Sequence, residues 1–175
     1  MRFKTYINIL LVLVISAVLL VIWIHGLNWV YSKLLVFFAN VLLIVSPHTH
    51  ISLENQEGEV YFIVRTIIEG RNGSYPQKAT LIILPFIMML TWQILLFINI
   101  SLRKALRSTI ENLVIFIFFQ VIYLLILTGY YNSNADKFFF HLLVDSFYII
   151  GLFLIVKDTI RYRLISFPGG KESSG

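Results

Sequence analysis

The stretch "ATLIILPFIMMLTWQILLFINISL", residues 79–102, contains no Asp, Glu, Lys or Arg. Two other stretches, residues 5–32 and 112–135, are equally free of these charges. Each is longer than the ~20 residues that an α-helix needs to cross a bilayer. A fourth apolar stretch, 138–156, is interrupted by one formal charge, Asp145. The sequence therefore predicts an all-α, multi-pass membrane protein with four transmembrane helices, at about 7–25, 79–101, 109–129 and 137–157.

The composition agrees with a membrane protein and excludes several other classes. Hydrophobic residues make up 58% of the chain and charged residues only 13%, which is far from the balance of a soluble domain. The net charge of +5 comes from basic residues near the ends of apolar stretches, so it indicates topology and gives no reason to expect a nucleic-acid partner. The absence of cysteine excludes disulfides, thiolate metal sites and a cysteine nucleophile.

The N-terminal apolar stretch has a basic start and no small-residue cleavage site, so we interpret it as an uncleaved anchor helix. The next apolar segment, "LLVFFANVLLIV" at 34–45, would rise only ~18 Å as a helix. This is too short to span a bilayer, so the segment is expected to lie at the interface or to re-enter the membrane. The alternative, that it spans, stays open at this point.

The distribution of lysine and arginine favours four spans. With the N-terminus inside, nine of the 14 basic residues fall on the cytoplasmic side: Arg2, Lys4, Arg103, Lys104, Arg107, Lys157, Arg161, Arg163 and Lys171. The five on the other side are Lys33, Arg65, Arg71, Lys78 and Lys137. If 34–45 also spanned, the division would be six against eight, which fits the positive-inside rule less well. We therefore expect a cell-membrane protein, prokaryotic in type, with both termini in the cytoplasm.

Residues 46–78 form the predicted extracytoplasmic segment. Two β-prone runs, "HISLE" and "EVYFIVRTII", flank "NQEG", and Gly58 can take the positive φ of a tight turn, so a β-hairpin over residues 51–68 is predicted. Residues 1–165 are expected to form a single membrane domain, followed by a flexible tail at 166–175 that is rich in glycine and serine. Ser108 and Glu111 have the spacing of a capping box, which predicts that the third transmembrane helix begins there.

Polar side chains within the last two predicted spans are the main candidate site. His141 and Asp145 are spaced i, i+4 and share one helix face. Counting 1.5 Å per residue places Asp145 and Gln120 at a similar depth, ~12 to 14 Å below the outer end of their helices. A carboxylate at that depth costs several kcal/mol unless it is paired, protonated or hydrated. We therefore expect His141 and Asp145 to face the bundle interior, close to Gln120 and Tyr123.

The layout of these elements resembles the exosortase/archaeosortase family, multi-pass transpeptidase-like enzymes that process the C-terminal sorting signal of exported proteins. The resemblance covers roughly residues 50–155. The family turn EACSG corresponds to "EGRNG" at 69–73, its third-span motif NxxR to "QVIY" at 120–123, and its last-span histidine to His141. Arg71 stands where the family has its nucleophilic cysteine, and Tyr123 where it has its arginine. The resemblance thus implies a degenerate member in which cysteine chemistry is impossible.

Several functions fit these residues. The favoured hypothesis is a non-enzymatic subunit or scaffold that binds a partner's membrane or exported segment, the partner being another membrane protein or a second copy of the chain. The alternatives are a sorting peptidase or transpeptidase of altered mechanism, with Tyr123 or Ser146 as nucleophile and Arg71 and His141 in its site, and a pathway for small solutes or protons through Asp145. No cofactor is predicted. In other membrane proteins a lone histidine can bind haem, and His25 and His141 are lone histidines of this kind. His48 and His50 lie on one side of a strand and are weak candidates for a metal site.

Overall fold

The computed structural model describes residues 2–162, which form five α-helices and a small antiparallel sheet. Helix α1 covers Arg2–Ile22, and a π-helical turn at Trp23–Leu27 leads into α2, Asn28–Leu42, which ends in a 3-10 turn at Leu43–Val45. The strands are β1 His50–Gln56, β2 Glu59–Ile68 and β3 Arg71–Lys78. The last three helices are α3 Thr80–Asn99, α4 Leu102–Thr128 and α5 Asn134–Arg161. The predicted tail at 166–175 lies outside the described residues.

Three helical stretches of the described chain are long and apolar enough to cross a membrane: Leu10–Val45, Leu102–Thr128 and Asn134–Arg161. A shorter apolar stretch, Leu84–Asn99, lies within α3. Each of the four predicted spans is largely helical, and the three long apolar stretches are consistent with insertion into a membrane.

The junction of α1 and α2 is bent at Gly26. This glycine has a φ of 134° and a ψ of −16° inside the π-helical turn, a conformation that side-chain-bearing residues rarely adopt. The bend brings Tyr31 back to Trp23, with ring centroids 5.7 Å apart. Helix α2 thus starts at Asn28, earlier than the predicted segment 34–45, and packs against α4 and β1.

The predicted hairpin is confirmed, and a third strand extends it. Strands β1 and β2 pair antiparallel with Leu53 opposite Phe62. The sheet order is β1-β2-β3, and both connections are two-residue turns with positive φ, at Glu57 and Gly58 and at Glu69 and Gly70. Such turns match the twist of antiparallel strands. The third strand was not predicted, because Pro76 and the short polar residues of "RNGSYPQK" do not form a β-prone run; as an edge strand, β3 tolerates the proline.

One face of the sheet packs on the helices. Ile51, Phe62 and Val64 are fully buried on this face. Asn40 of α2 acts as an additional pairing partner for β1: its Nδ2 donates to the Ile51 carbonyl at 2.7 Å, and its Oδ1 accepts from the Ile51 amide at 3.0 Å. The amide group therefore satisfies both backbone groups of an edge residue that would otherwise be unpaired.

The β2–β3 side of the sheet is held by α4 and by the loop after it. The Tyr75 hydroxyl donates to the Leu127 carbonyl, and Asn132 Nδ2 donates to the Ile67 carbonyl. The Glu69 amide in turn donates to Asn132 Oδ1 at 3.3 Å. These bonds fix the position of the β2–β3 turn relative to the helical bundle.

The prediction that a helix begins at Ser108 is wrong. Helix α4 begins at Leu102, with Ser101 as its N-cap, and Ser108 lies buried inside the helix. Glu111 caps nothing; it accepts from Arg107 Nε at 2.9 Å and from Arg161 Nη1 of α5 at 2.6 Å. The physical reason is that the basic segment before Ser108 is itself helical, so the capping-box spacing falls within a continuous helix.

Candidate functional site

Gln120, one of the predicted polar residues, is completely buried. Its Oε1 accepts a hydrogen bond from the Tyr31 hydroxyl of α2. The Tyr31 ring stacks on Phe86 of α3 with centroids 4.0 Å apart. This contact joins α2, α3 and α4 around one buried polar pair, a role that no sequence pattern around Tyr31 indicated.

Tyr123 is also completely buried, beneath the aromatic residues of α5. Its ring centroid lies 5.0 Å from that of Phe140 and 5.8 Å from that of Phe147. Its hydroxyl has no hydrogen-bond partner within residues 2–162. Tyr123 therefore lies in an aromatic core, where a nucleophile would have neither a base nor access to a substrate.

The prediction that His141 and Asp145 face the bundle interior is wrong. Both side chains are exposed, because the buried positions of α5 lie on another face of the helix: Phe140, Phe147, Gly151, Leu154 and Asp158. The one polar neighbour of His141 in the described chain is the Tyr130 hydroxyl, 3.5 Å from Nε2. Asp145 forms neither a hydrogen bond nor an ion pair with another described residue. The carboxylate thus lies on the outer surface of α5, among residues suited to lipid.

The candidate catalytic residues do not assemble into one site. Arg71 begins β3 and is exposed, Tyr123 is enclosed in the bundle, and His141 is exposed on α5. The Ser146 hydroxyl donates to the Leu142 carbonyl of its own helix at 2.6 Å. No nucleophile and base are thus within hydrogen-bonding reach of each other among these candidates.

A second polar cluster, which the sequence did not lead us to expect, lies at the other end of the bundle. Asp158 of α5 is fully buried. Its Oδ2 accepts from Asn112 Nδ2 of α4 at 2.7 Å and from Gln93 Nε2 of α3 at 3.3 Å. Thr109 donates to Gln93 Oε1 at 3.1 Å, and Lys157 donates to Asn112 Oδ1 at 2.6 Å. We call these five residues the Asp158 cluster.

The Asp158 cluster balances its buried charge internally. The Lys157 ammonium lies 3.5 Å from Asp158 Oδ1, which has no hydrogen bond in the described part of the chain. A buried carboxylate is tolerated when it is paired and hydrogen-bonded. The cluster can therefore hold α3, α4 and α5 in one register. The signal that could have identified it was present: Gln93 and Asn112 are amides within otherwise apolar stretches, and polar residues join helices in membranes.

The candidate metal ligands, His48 and His50, lie at the end of the sheet that is distant from the β1–β2 turn. His50, Arg65 and Ser74 are directly opposite one another across the three strands, and His48 precedes β1. Among residues 2–162 no group of three or more His, Cys, Asp or Glu side chains could hold a metal ion. The cation of Arg65, directly opposite His50, opposes metal binding there.

Comparison with protein-family models, curated proteins and solved structures gives no match to this chain. The inferences about function therefore rest on the residues and contacts described above.

Proposed function

We propose that this chain is a non-catalytic integral membrane protein that binds the membrane segment of a partner along the exposed face of α5. The observation that carries the proposal is the position of Asp145, a carboxylate on a surface that otherwise carries large apolar side chains. Leu142, Tyr148 and Ile149, its neighbours on this surface, are 48%, 50% and 66% exposed. His141 lies one helical turn before it on the same face. We call Leu142, Tyr148, Ile149, His141 and Asp145 the α5 polar face.

The energetic basis is the cost of leaving a carboxylate in contact with lipid. An ionisable side chain in the hydrocarbon region is several kcal/mol less stable than one with a polar partner, and such residues normally face protein or water. Within the described chain Asp145 has no such partner. A helix from another protein, carrying a basic or hydrogen-bonding side chain at the same depth, would supply one, since polar groups stabilise contacts between transmembrane helices.

We place the chain in the membrane with four spans, formed by α1, α3, α4 and α5, and with both termini in the cytoplasm. Helix α3 is 20 residues long and would extend ~30 Å, enough to cross the hydrocarbon core. The sheet then lies outside the cell, and the basic residues Arg103, Lys104 and Arg107 lie inside, as the positive-inside rule requires. This plan is similar to that of the exosortase/archaeosortase family, of which the chain would be a member without the catalytic cysteine and arginine.

A sorting peptidase of altered mechanism is the alternative. It would require Arg71, Tyr123 and His141 to cooperate, and their separation favours the scaffold. The segment "EGRNG" forms the β2–β3 turn and the start of β3, outside the helical bundle in which Tyr123 is buried.

Photo-crosslinking from the α5 polar face tests the proposal. A photoreactive amino acid at position 142 should give a defined adduct with a partner protein in native membranes. A photoreactive amino acid at position 118, which is 59% exposed on α4, should give mainly lipid adducts and serves as the control. We expect Asp145→Asn to retain the protein adduct, since the amide keeps shape and hydrogen-bonding capacity, and Asp145→Leu to lose it.

Two results would contradict the scaffold. Equal protein crosslinking from positions 118 and 142 would show that the α5 polar face is not a specific surface. If both Asp145 variants keep the adduct but abolish processing of an exported protein, the peptidase alternative takes its place.

A further inference from the structure

We propose that the pocket lined by His50, Arg65 and Ser74, at the end of the sheet distant from the β1–β2 turn, binds a phosphate group. The pocket has a volume of about 460 Å³. Its polar lining comes from all three strands and from the segment that leads into them: His48, His50, Arg65, Thr66, Asn72 and Ser74. The site is separate from the α5 polar face and does not depend on the scaffold proposal.

The sheet places these donors side by side. Arg65 on the central strand is directly opposite His50 of β1 on one side and Ser74 of β3 on the other. Residues opposite each other in an antiparallel sheet have Cβ atoms ~5 Å apart and project to the same face. A guanidinium fork, an imidazole and a hydroxyl therefore converge on one region, with the Asn72 amide two residues from Ser74 on the same face.

The electrostatics of the pocket favour an anion. No carboxylate lines it, and Arg65 forms no ion pair with any residue of the described chain. At the other end of the sheet, by contrast, the Lys78 ammonium lies 2.6 Å from Glu59 Oε2. Arg65 is thus a cation without a counterion among the described residues, and a guanidinium can bind two phosphate oxygens at once.

The surroundings of the pocket suggest where the phosphate comes from. Pro47 and His48, at its edge, follow Ile44 and Val45, which are 82% and 83% exposed. Exposed aliphatic side chains at the end of an interfacial helix are stable when they insert between lipid headgroups. A pocket beside them would lie at the level of lipid phosphates, although a soluble phosphate or phosphate monoester offers the same oxygens.

Two experiments test the site. In the first, inorganic phosphate is titrated calorimetrically into the full chain in phosphatidylcholine nanodiscs. In the second, the chain is placed in nanodiscs that contain phosphatidic acid, and bound lipid is measured by native mass spectrometry. Saturable binding in either arm is expected, and the arm in which it occurs identifies the source. Arg65→Gln should weaken that binding roughly tenfold or more, since a charge-assisted bidentate contact is lost. His50→Gln, which leaves the guanidinium in place, should weaken it less.

Lys78→Gln is the matched control, because it removes one positive charge from the same sheet at a site already paired with a carboxylate. It should leave phosphate and lipid binding unchanged. The proposal fails if neither arm shows saturable binding, if Arg65→Gln and His50→Gln both bind as well as the parent, or if Lys78→Gln weakens binding as much as Arg65→Gln does.

Discussion

Asp158 illustrates how a single buried carboxylate can join three apolar helices. Its Oδ2 receives amide donors from Gln93 and Asn112, while Lys157 lies near Oδ1. We expect Asp158→Asn to lower the free energy of unfolding by about 1–3 kcal/mol, because the new amide donor faces the Lys157 ammonium and the charge pair is lost. Reversible unfolding in mixed micelles measures this difference.

The matched control for this prediction is Glu111→Gln, also a carboxylate-to-amide change near the same end of the bundle. Glu111 pairs with Arg107 and Arg161 on the surface, where ion pairs contribute little, so its loss should destabilise the protein much less than Asp158→Asn does. Equal destabilisation by the two variants would mean that the Asp158 cluster contributes no more to the free energy of unfolding than a surface ion pair does.

At the level of single residues, the sequence predicted that Gln120 and Tyr123 lie in the interior of the bundle, and both are buried. Their neighbours could not be predicted. Tyr31 reaches Gln120 only because the chain bends at Gly26, and helical periodicity does not report such a bend. The prediction for Asp145 was wrong because it assumed that a chain must bury its own polar groups. In α5 the buried face is occupied mainly by apolar and aromatic residues.

Among the elements, the α1–α2 junction depends on glycine for a backbone reason. A Cβ on Gly26 would meet no atom within 4 Å, so substitution by alanine is penalised by φ alone. We expect Gly26→Ala to destabilise the protein by about 1–3 kcal/mol. Thermal unfolding followed by circular dichroism provides the measurement.

The stability loss in Gly26→Ala can be compared with that in Gly70→Ala. Gly70 also has open space around it and a positive φ of 79°, close to the left-handed helical region, where alanine costs ~1–2 kcal/mol. A Gly26→Ala variant as stable as the parent would imply that α1 and α2 can join without the bend.

The Glu59–Lys78 pair links the start of β2 to the end of β3. Hydrogen bonds from Lys78, and secondarily from Tyr61, lower the pKa of Glu59 below its ordinary value of 4.5. Because the pKa is lowered in the folded state, the pair contributes stability at neutral pH and loses it as the pH falls through the folded pKa. Lys78→Gln should raise the pKa of Glu59, and Tyr61→Phe should raise it less. Carboxyl-carbon NMR titration would detect both, and an unchanged pKa in Lys78→Gln would contradict the assignment.

The hairpin was predictable because alternation, β-propensity and a glycine turn all indicated the same two strands. The third strand lacks these features. It is stabilised by pairing with β2 and by burial of Tyr75, and such tertiary contacts override weak local propensity. The capping-box spacing in α4 misled for a related reason, since a motif of four residues does not exclude a longer helix around it.

At the scale of the whole molecule, the absence of cysteine makes the proposed topology directly testable. A cysteine replacing Glu57 in the hairpin turn should react with a membrane-impermeant maleimide in intact cells. A cysteine replacing Arg103 should react only after permeabilisation, because the positive-inside rule places it in the cytoplasm. Both positions are exposed, and the parent chain is the unlabelled control. The reverse pattern would invert the topology.

The long apolar helices could be predicted from charge-free lengths alone, because the bilayer fixes how long a span must be. The side-by-side arrangement of His50, Arg65 and Ser74 could not, since Ser74 belongs to the unpredicted strand. For the same reason the sequence offered His48 and His50 as metal ligands without the arginine that changes the chemistry of the pocket.

The attachment of the sheet to the helices constrains how the chain can be synthesised. Asn132, which holds Ile67, lies 65 residues later in the sequence, and Leu127, which accepts from Tyr75, lies 52 residues later. Since a chain emerges from the ribosome from its N-terminus onwards, all three strands are complete while their anchoring groups are still unmade. The contacts of β1 with α2 can form first, whereas the bonds of Ile67 and Tyr75 must wait for α4 and the loop after it. A ribosome stalled within α4 would therefore leave the β2–β3 side of the sheet unanchored and open to chaperones and proteases.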